Sequence, residues 1–286
     1  MNDSPEASTT ERPGSGTWGW YLYGIVRDDE EPGVDAGEST RLDDTESLEG
    51  IAQRGVRAVV RRVPLADFAP EAIQAHASDP AWLEHIARQH NDVISTIHER
   101  RTILPAKFGA VYTSREDLRA ALAENHETLC SRLNGIDGCD EWGIHLYGDP
   151  ATIREHAVTD HAGVARLREE LASASPGRAF FLQRKLEEEL ARATDSALDD
   201  LVDQAYRRLA EHAVSARISA RAAAERIAQR EGEVEVMRAV FLVRRTGRDA
   251  FLDGVRAISD SEPGLRCEYS GPWPAYSFAA EMEETQ

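Results

Sequence analysis

The chain has 286 residues, 41% of them apolar, and carries 51 Asp and Glu against 33 Lys and Arg, a net charge of −18. That length admits one large or two modest domains with a real core. No apolar run reaches the roughly 18 residues of a membrane-spanning helix, and so acidic a chain lacks the basic footprint of nucleic-acid binding.

The first 17 residues are rich in Ser, Thr, Pro, Gly and Glu and are expected to be a disordered tail. They lack the basic and apolar regions of a signal peptide. Trp20–Val26 predicts a first strand. The acidic stretch from Asp28 to Asp44 predicts a long loop, Ser47–Arg54 a short helix, and Val56–Val63 a strand with Val56, Ala58 and Val60 on one face. Asp79-Pro80 is a helix start. After it Leu83, Ile86, His90, Val93, Ile94 and Ile97 form one apolar stripe. Thr102–Tyr112 predicts a strand interrupted by Pro105 and Gly109, which suits an edge or bulge. The pattern Ser114-Arg115-Glu116-Asp117 resembles a capping box and opens a second helix through Leu118, Leu122, Leu129 and Leu133.

The second half opens on a strand at Glu141–Tyr147, followed by helix over residues 150 to 172. Pro176-Gly177 breaks the chain before a long helix from about Arg178 to about His212. Its stripe is Leu182, Leu186, Leu190, Ala193, Ala197, Leu201, Ala205 and Leu209. A further helix is predicted over Ile218–Arg230, a strand over Glu235–Arg244, and a short helix with Phe251, Leu252, Val255 and Ile258 inward. A closing strand begins at Gly264 and runs on to Phe278. In that last stretch, Gly271-Pro272-Trp273-Pro274-Ala275-Tyr276-Ser277-Phe278, two prolines stiffen the backbone and three aromatics need apolar cover. Strands and helices mixed in this order predict an α+β fold. The expected division is a tail at 1–17, an α+β domain at 18–135 and a second at 136–286. The second approximates a ferredoxin-like unit with one strand missing and a helical insertion at about 150–230.

Residue types that carry chemistry do not assemble into a site along the sequence. His85, His90 and His98 share a helix without i,i+4 spacing, and no Cys or carboxylate pattern completes a metal set. His90, inside the apolar stripe, reads as a satisfied core histidine. No phosphate-binding glycine loop is present. Lys107 is one of only two lysines, the other being Lys185. It could act as a base if buried, but reads as an ordinary cation. Cys130, Cys139 and Cys267, an odd and sparse set, suit a reducing cytoplasm. No cofactor, metal or catalytic function is expected. The acidity and near absence of Lys fit a salt-rich cytoplasm, where a Debye length of about 3 Å in molar salt shortens self-repulsion.

Four ordered segments carry a resemblance: Trp20-Tyr21-Leu22-Tyr23-Gly24-Ile25-Val26; Ile103-Leu104-Pro105-Ala106-Lys107-Phe108-Gly109-Ala110-Val111-Tyr112, preceded by His90, Val93 and Ile94; Ser175-Pro176-Gly177 with Phe180-Phe181-Leu182-Gln183-Arg184-Lys185; and the aromatic closing segment. Together they resemble the gas vesicle protein L/F family, and the added N-terminal tail favours L. The resemblance implies two α+β domains, the C-terminal one a modified ferredoxin-like fold with long helices. It also implies an accessory role in gas vesicle formation, with the hydrophobic shell subunit, gas vesicle protein A, and other accessory proteins as partners. Candidate anchors or interface residues are Pro105, Lys107, Phe108, Leu186, Leu190, Trp273, Tyr276 and Phe278. The alternative is a small-molecule-binding or enzymatic α+β protein, with a pocket around Lys107, His90 and Tyr112.

Overall fold

The computed structural model of the chain describes residues 17–28, 48–68, 80–157, 161–218 and 232–279. The expected tail up to residue 16, the acidic loop after Asp28, the Asp79 cap and all but the start of the helix predicted from Ile218 lie outside the described residues. The chain divides into two compact units, Met1–Leu133 and Asn134–Gln286, each built on its own sheet.

In the first unit the central strand is β1 (Trp18–Arg27), an apolar run that is buried from Tyr21 to Val26. It pairs antiparallel with β3 (Val56–Pro64), and β2 (Glu49–Gln53) lies outside β3. The helix predicted over Ser47–Arg54 is therefore a strand. Arg54 and Gly55 both take positive φ, 50° and 80°, the backbone of a two-residue hairpin turn that matches strand twist. Tertiary pairing thus overrides the local helical reading. On the other side β1 carries β4 (Leu104–Pro105) and β5 (Val111–Tyr112). Helix α1 (Pro80–His98) packs on β1 with His90, Val93, Ile94 and Ile97 inward, as its stripe dictates.

The next predicted helix is two. Helix α2 (Arg115–Glu124) is capped by Ser114, whose hydroxyl accepts from the Asp117 N–H at 3.0 Å. It ends where both the main-chain N–H and the side-chain amide of Asn125 donate to the Ala121 carbonyl. That side-chain bond competes with continued helix, and α3 (His126–Gly135) starts anew.

The second unit holds an antiparallel sheet in the order β7-β8-β6-β9, made of β6 (Cys139–Gly148), β7 (Ser215–Ile218), β8 (Val234–Arg244) and β9 (Leu265–Trp273). Between β6 and β7 lie α4 (Pro150–Ala157), α5 (Ala162–Ala172) and the 35-residue α6 (Pro176–Ala210); α7 (Arg248–Ser261) joins β8 to β9. With the helical segments taken as one, the order is strand, helix, strand, strand, helix, strand, the connectivity of a ferredoxin-like split βαβ unit. The strand expected to be missing is present: it is β7, at the point where a helix was predicted to begin. The single helix predicted over 150–172 is interrupted, with His161 capping α5 through Nδ1.

Alternation along β6 and β8 sends Trp142, Ile144, Leu146, Met237, Ala239, Phe241 and Val243 to one face. There they meet Ala205 and Leu209 of α6 and Phe251, Leu252, Val255 and Ile258 of α7. The leucine stripe of α6 is divided. Its C-terminal half covers the sheet, whereas Leu182, Leu190 and Ala193 are buried outside that core. Here α5 lies along the helix, with Arg178 reaching Glu170 at 3.6 Å.

Candidate functional site

The two segments that stood out in the sequence fold into two clamped turns, one in each unit. In the first, Leu104 and Pro105 are buried where β4 joins β1, and the Ala106 N–H donates to the Tyr23 carbonyl. The chain then loops outward. Gly109 takes φ +83°, the Ala110 N–H closes on the Lys107 carbonyl, and the Leu22 N–H on Ala110 returns the chain to β1. Lys107 and Phe108 stand at the tip, Phe108 being 47% exposed.

Beneath the tip lies a hydrogen-bond relay. The Gly109 N–H donates to the Tyr21 hydroxyl at 3.2 Å, and that hydroxyl faces His90 Nδ1 at 2.9 Å. The imidazole also interacts with the Ala106 backbone. Burial lowers the His90 pKa, opposed by that interaction, and burial pushes the Tyr21 phenol up to about 12. Both groups are neutral near pH 7, and the Tyr21 hydroxyl bridges the Gly109 N–H and His90 Nδ1. The rings of Tyr21, Tyr23 and Phe108 pack around the imidazole, 5.7 Å from it centroid to centroid. The relay ties the turn to β1 and α1. Lys107 is exposed, His90 is buried and Tyr112 sits in a strand beside Trp20; the three do not converge on the pocket that the enzymatic alternative requires.

The second turn corrects the reading of an aromatic strand to Phe278. Strand β9 ends at Trp273, and the chain hooks back through buried Pro274 and Ala275 into the one-turn helix α8 (Tyr276–Ala279). The Gly271–Pro272 peptide is cis, and Gly271 has φ +132°. A Cβ at Gly271 would sit 2.9 Å from the Glu141 carbonyl oxygen and 3.1 Å from the Trp142 ring, so the hook leaves the sheet where no side chain fits. Ser277 donates both its N–H and its hydroxyl to the Glu141 carboxylate, each at 2.7 Å. Arg217 of β7 donates to the Ser277 carbonyl, and its guanidinium lies 4.5 Å from the centre of the Phe278 ring. Burial raises the Glu141 pKa, opposed by the Ser277 bonds and the Arg217 charge. Of the three aromatics only Phe278 is a buried anchor. Tyr276 is half-buried, and Trp273 is 47% exposed.

The same sheet face carries a charged lattice that the sequence reading missed. Glu235, buried on β8, accepts from His145 Nδ1 at 2.7 Å and from two Arg238 nitrogens at 3.0 and 2.8 Å. Desolvation works against its charge, yet the bonds from Arg238 and His145 hold its pKa below the ordinary value. Alternation in Glu141-Trp142-Gly143-Ile144-His145 already places Glu141 and His145 opposite Trp142 and Ile144; their partners come from strands distant in sequence. On α6, Leu190 is buried and Leu186 half-buried, leaving little of the stripe for a partner. Phe180 and Phe181, by contrast, are 72% and 73% exposed. They fall off the stripe by helical periodicity, a signal available in the sequence.

Among the described residues no group of three or more His, Cys, Asp and Glu side chains is placed to hold a metal. No described helix is long and apolar enough to cross a membrane.

A family model described as gas vesicle synthesis protein GvpL/GvpF matches residues 19–280. Gas vesicle protein L of Streptomyces sp. (strain CB03234) is 31% identical over 227 residues, covering 79% of this chain and 81% of that protein. Gas vesicle protein L2 of Halobacterium salinarum is 27% identical over 272 residues, covering 92% of each. The crystal structure of the gas vesicle protein GvpF from Anabaena sp. PCC7120 superposes with a TM-score of 0.62 at 18% identity, covering 91% of this chain and 98% of that one; at that identity the likeness speaks to fold.

Proposed function

The chain belongs to the gas vesicle synthesis protein GvpL/GvpF family, and from that premise we propose that it is a cytoplasmic accessory protein that binds the hydrophobic shell subunit, gas vesicle protein A, during gas vesicle assembly. A small, very apolar subunit needs its surface covered before it polymerises. A soluble, strongly acidic carrier with a few rigid aromatic contacts meets that need.

One observation carries this reading: each unit holds an aromatic about half exposed on a clamped turn, Phe108 in the first and Trp273 in the second. An aromatic fixed in place loses little entropy on binding, which is what makes Trp and Phe effective anchors. Lys107, exposed beside Phe108, adds a cation at the contact. The acid-rich, lysine-poor composition supports work in a salt-rich cytoplasm, where screening relieves the repulsion of a net charge of −18. Other accessory proteins of the assembly are further partners in this reading.

The test is binding of purified, tagged full-length chain to gas vesicle protein A in molar KCl. The chain is expected to retain the subunit, and Phe108→Ser or Trp273→Ser to weaken retention about tenfold or more, the effect of losing about 1.4 kcal/mol at an anchor. A chain that retains neither the subunit nor any other gas vesicle accessory protein overturns the reading.

A further inference from the structure

Helix α6 carries a second surface, independent of the two turns. Leu182, Leu190 and Ala193 define its buried side. Opposite them Gly177, Phe181, Arg184, Glu188, Ala191 and Asp195, all exposed, recur at alternating spacings of four and three, the period of a helix–helix seam. Phe180 and Phe181 are the most exposed large apolar side chains among the described residues. Their rings lie 5.8 Å apart, edge to face. From Pro176 to Leu186 the chain has three basic residues, Arg178, Arg184 and Lys185, and no carboxylate, within a protein of net charge −18. Glu187, Glu188 and Glu189 follow at once.

On the seam line itself Arg184 precedes Glu188 by one turn, a self-complementary pair. Two such helices laid antiparallel about a two-fold axis level with Leu186 bring Arg184 of one copy opposite Glu188 of the other. The same axis sets Phe181 against the small Ala191, with Phe180 on the flank of the seam. A two-fold contact of this kind makes every pairing twice. Within one chain Arg184 already reaches Glu188 at 3.3 Å; this exposed pair can be shared across the seam without stranding a buried charge.

We propose that the exposed face of α6 from Gly177 to Asp195 is a homodimer interface, occupied by the same face of a second copy. The paired stretch spans roughly 30 Å. An anionic membrane is a poorer occupant, because it would meet the field of the whole acidic body. A foreign acidic helix would meet Arg184 and leave Glu188 unmatched. The seam is narrow and largely polar, so the dimer is weak, and it strengthens with salt as the repulsion between two bodies of charge −18 is screened.

Sedimentation of the full-length chain in molar KCl, from low micromolar to several hundred micromolar, tests this. The expected result is a monomer–dimer equilibrium that shifts toward monomer in dilute buffer. Phe180→Ser with Phe181→Ser is expected to raise the dissociation constant at least tenfold without changing the melting temperature, since both rings are exposed. Arg184→Glu, which sets Glu against the partner's Glu188, is expected to do the same, and the reversed pair R184E/E188R to recover to within about threefold of the parent. Monomer throughout in molar KCl overturns the proposal, as does an R184E/E188R chain no better than R184E. Binding of the monomer to anionic vesicles through the same Phe pair, without dimerisation, would assign the surface to lipid instead.

Discussion

The turn at Lys107–Phe108 and the hook at Trp273–Phe278 hold exposed aromatics by opposite electrostatic means. The first rests on neutral groups, a phenol pushed up to about 12 and an imidazole whose pKa burial lowers, joined in one relay. The second rests on a buried carboxyl, Glu141, that binds Ser277 by two bonds. Their glycines differ too. Gly109 turns in open space, whereas Gly271 is pressed against the Glu141 carbonyl and the Trp142 ring. The contrast teaches that a rigid aromatic can be displayed either by tying neutral groups together beneath it or by wedging the backbone into a core.

The glycines give the largest expected difference. Gly271→Ala combines a positive φ with a clash on backbone and ring and is expected to cost about 3 kcal/mol. Gly109→Ala meets only the positive φ and is expected to cost about 1 kcal/mol. Urea denaturation of both variants measures this; equal losses would erase the distinction. Next is Tyr21→Phe, which strips the relay of its hydroxyl and leaves the half-buried Gly109 N–H and the buried His90 Nδ1 without that partner, for about 2 kcal/mol. Its loss should appear as faster hydrogen exchange in residues 104–112 with residues 265–279 unchanged.

Acid should then move the two turns in opposite directions. His90 has a lowered folded pKa, so its contribution is present above the unfolded value of about 6.5 and is lost as pH falls. Glu141 has a raised folded pKa, so its contribution is full below the unfolded carboxylate value and is lost as pH rises through the folded one. Hydrogen exchange against pH, compared with His90→Gln for residues 104–112 and with Glu141→Gln for residues 265–279, isolates each term from Glu235. That residue's lowered pKa acts in the opposite sense to Glu141 on the same sheet. Parallel trends in the two turns would refute the contrast. The smallest stability effect is expected for Lys107→Ala, within about 0.5 kcal/mol because the side chain is exposed; a larger shift in a thermal melt would give Lys107 a structural role.

Periodicity made much of this fold legible. The stripe on α1 named the residues that are buried, and alternation through Glu141–Tyr147 separated the core side of β6 from its charged side. Ser114 was readable as a cap because the bond it makes is local. The misreadings share one cause. Local pattern predicts helix for β2, no strand for β7 and a continuing strand for the hook. In each case a partner distant in sequence decides the conformation: β3 for β2, β8 for β7, and Glu141, 136 positions away, for Ser277.

The sequence by itself determined the α+β class, the family, the inward faces of the long elements and the local caps, because all of these follow from the period of apolar side chains or from bonds spanning a few residues. Only the tertiary structure decided that His90 joins a Tyr21 relay, that Glu141 latches the segment around Ser277, and that Phe108 and Trp273 are each left about half exposed. Exposure is what remains after all other surfaces have found their partners, and pairing across long loops leaves no mark in local pattern.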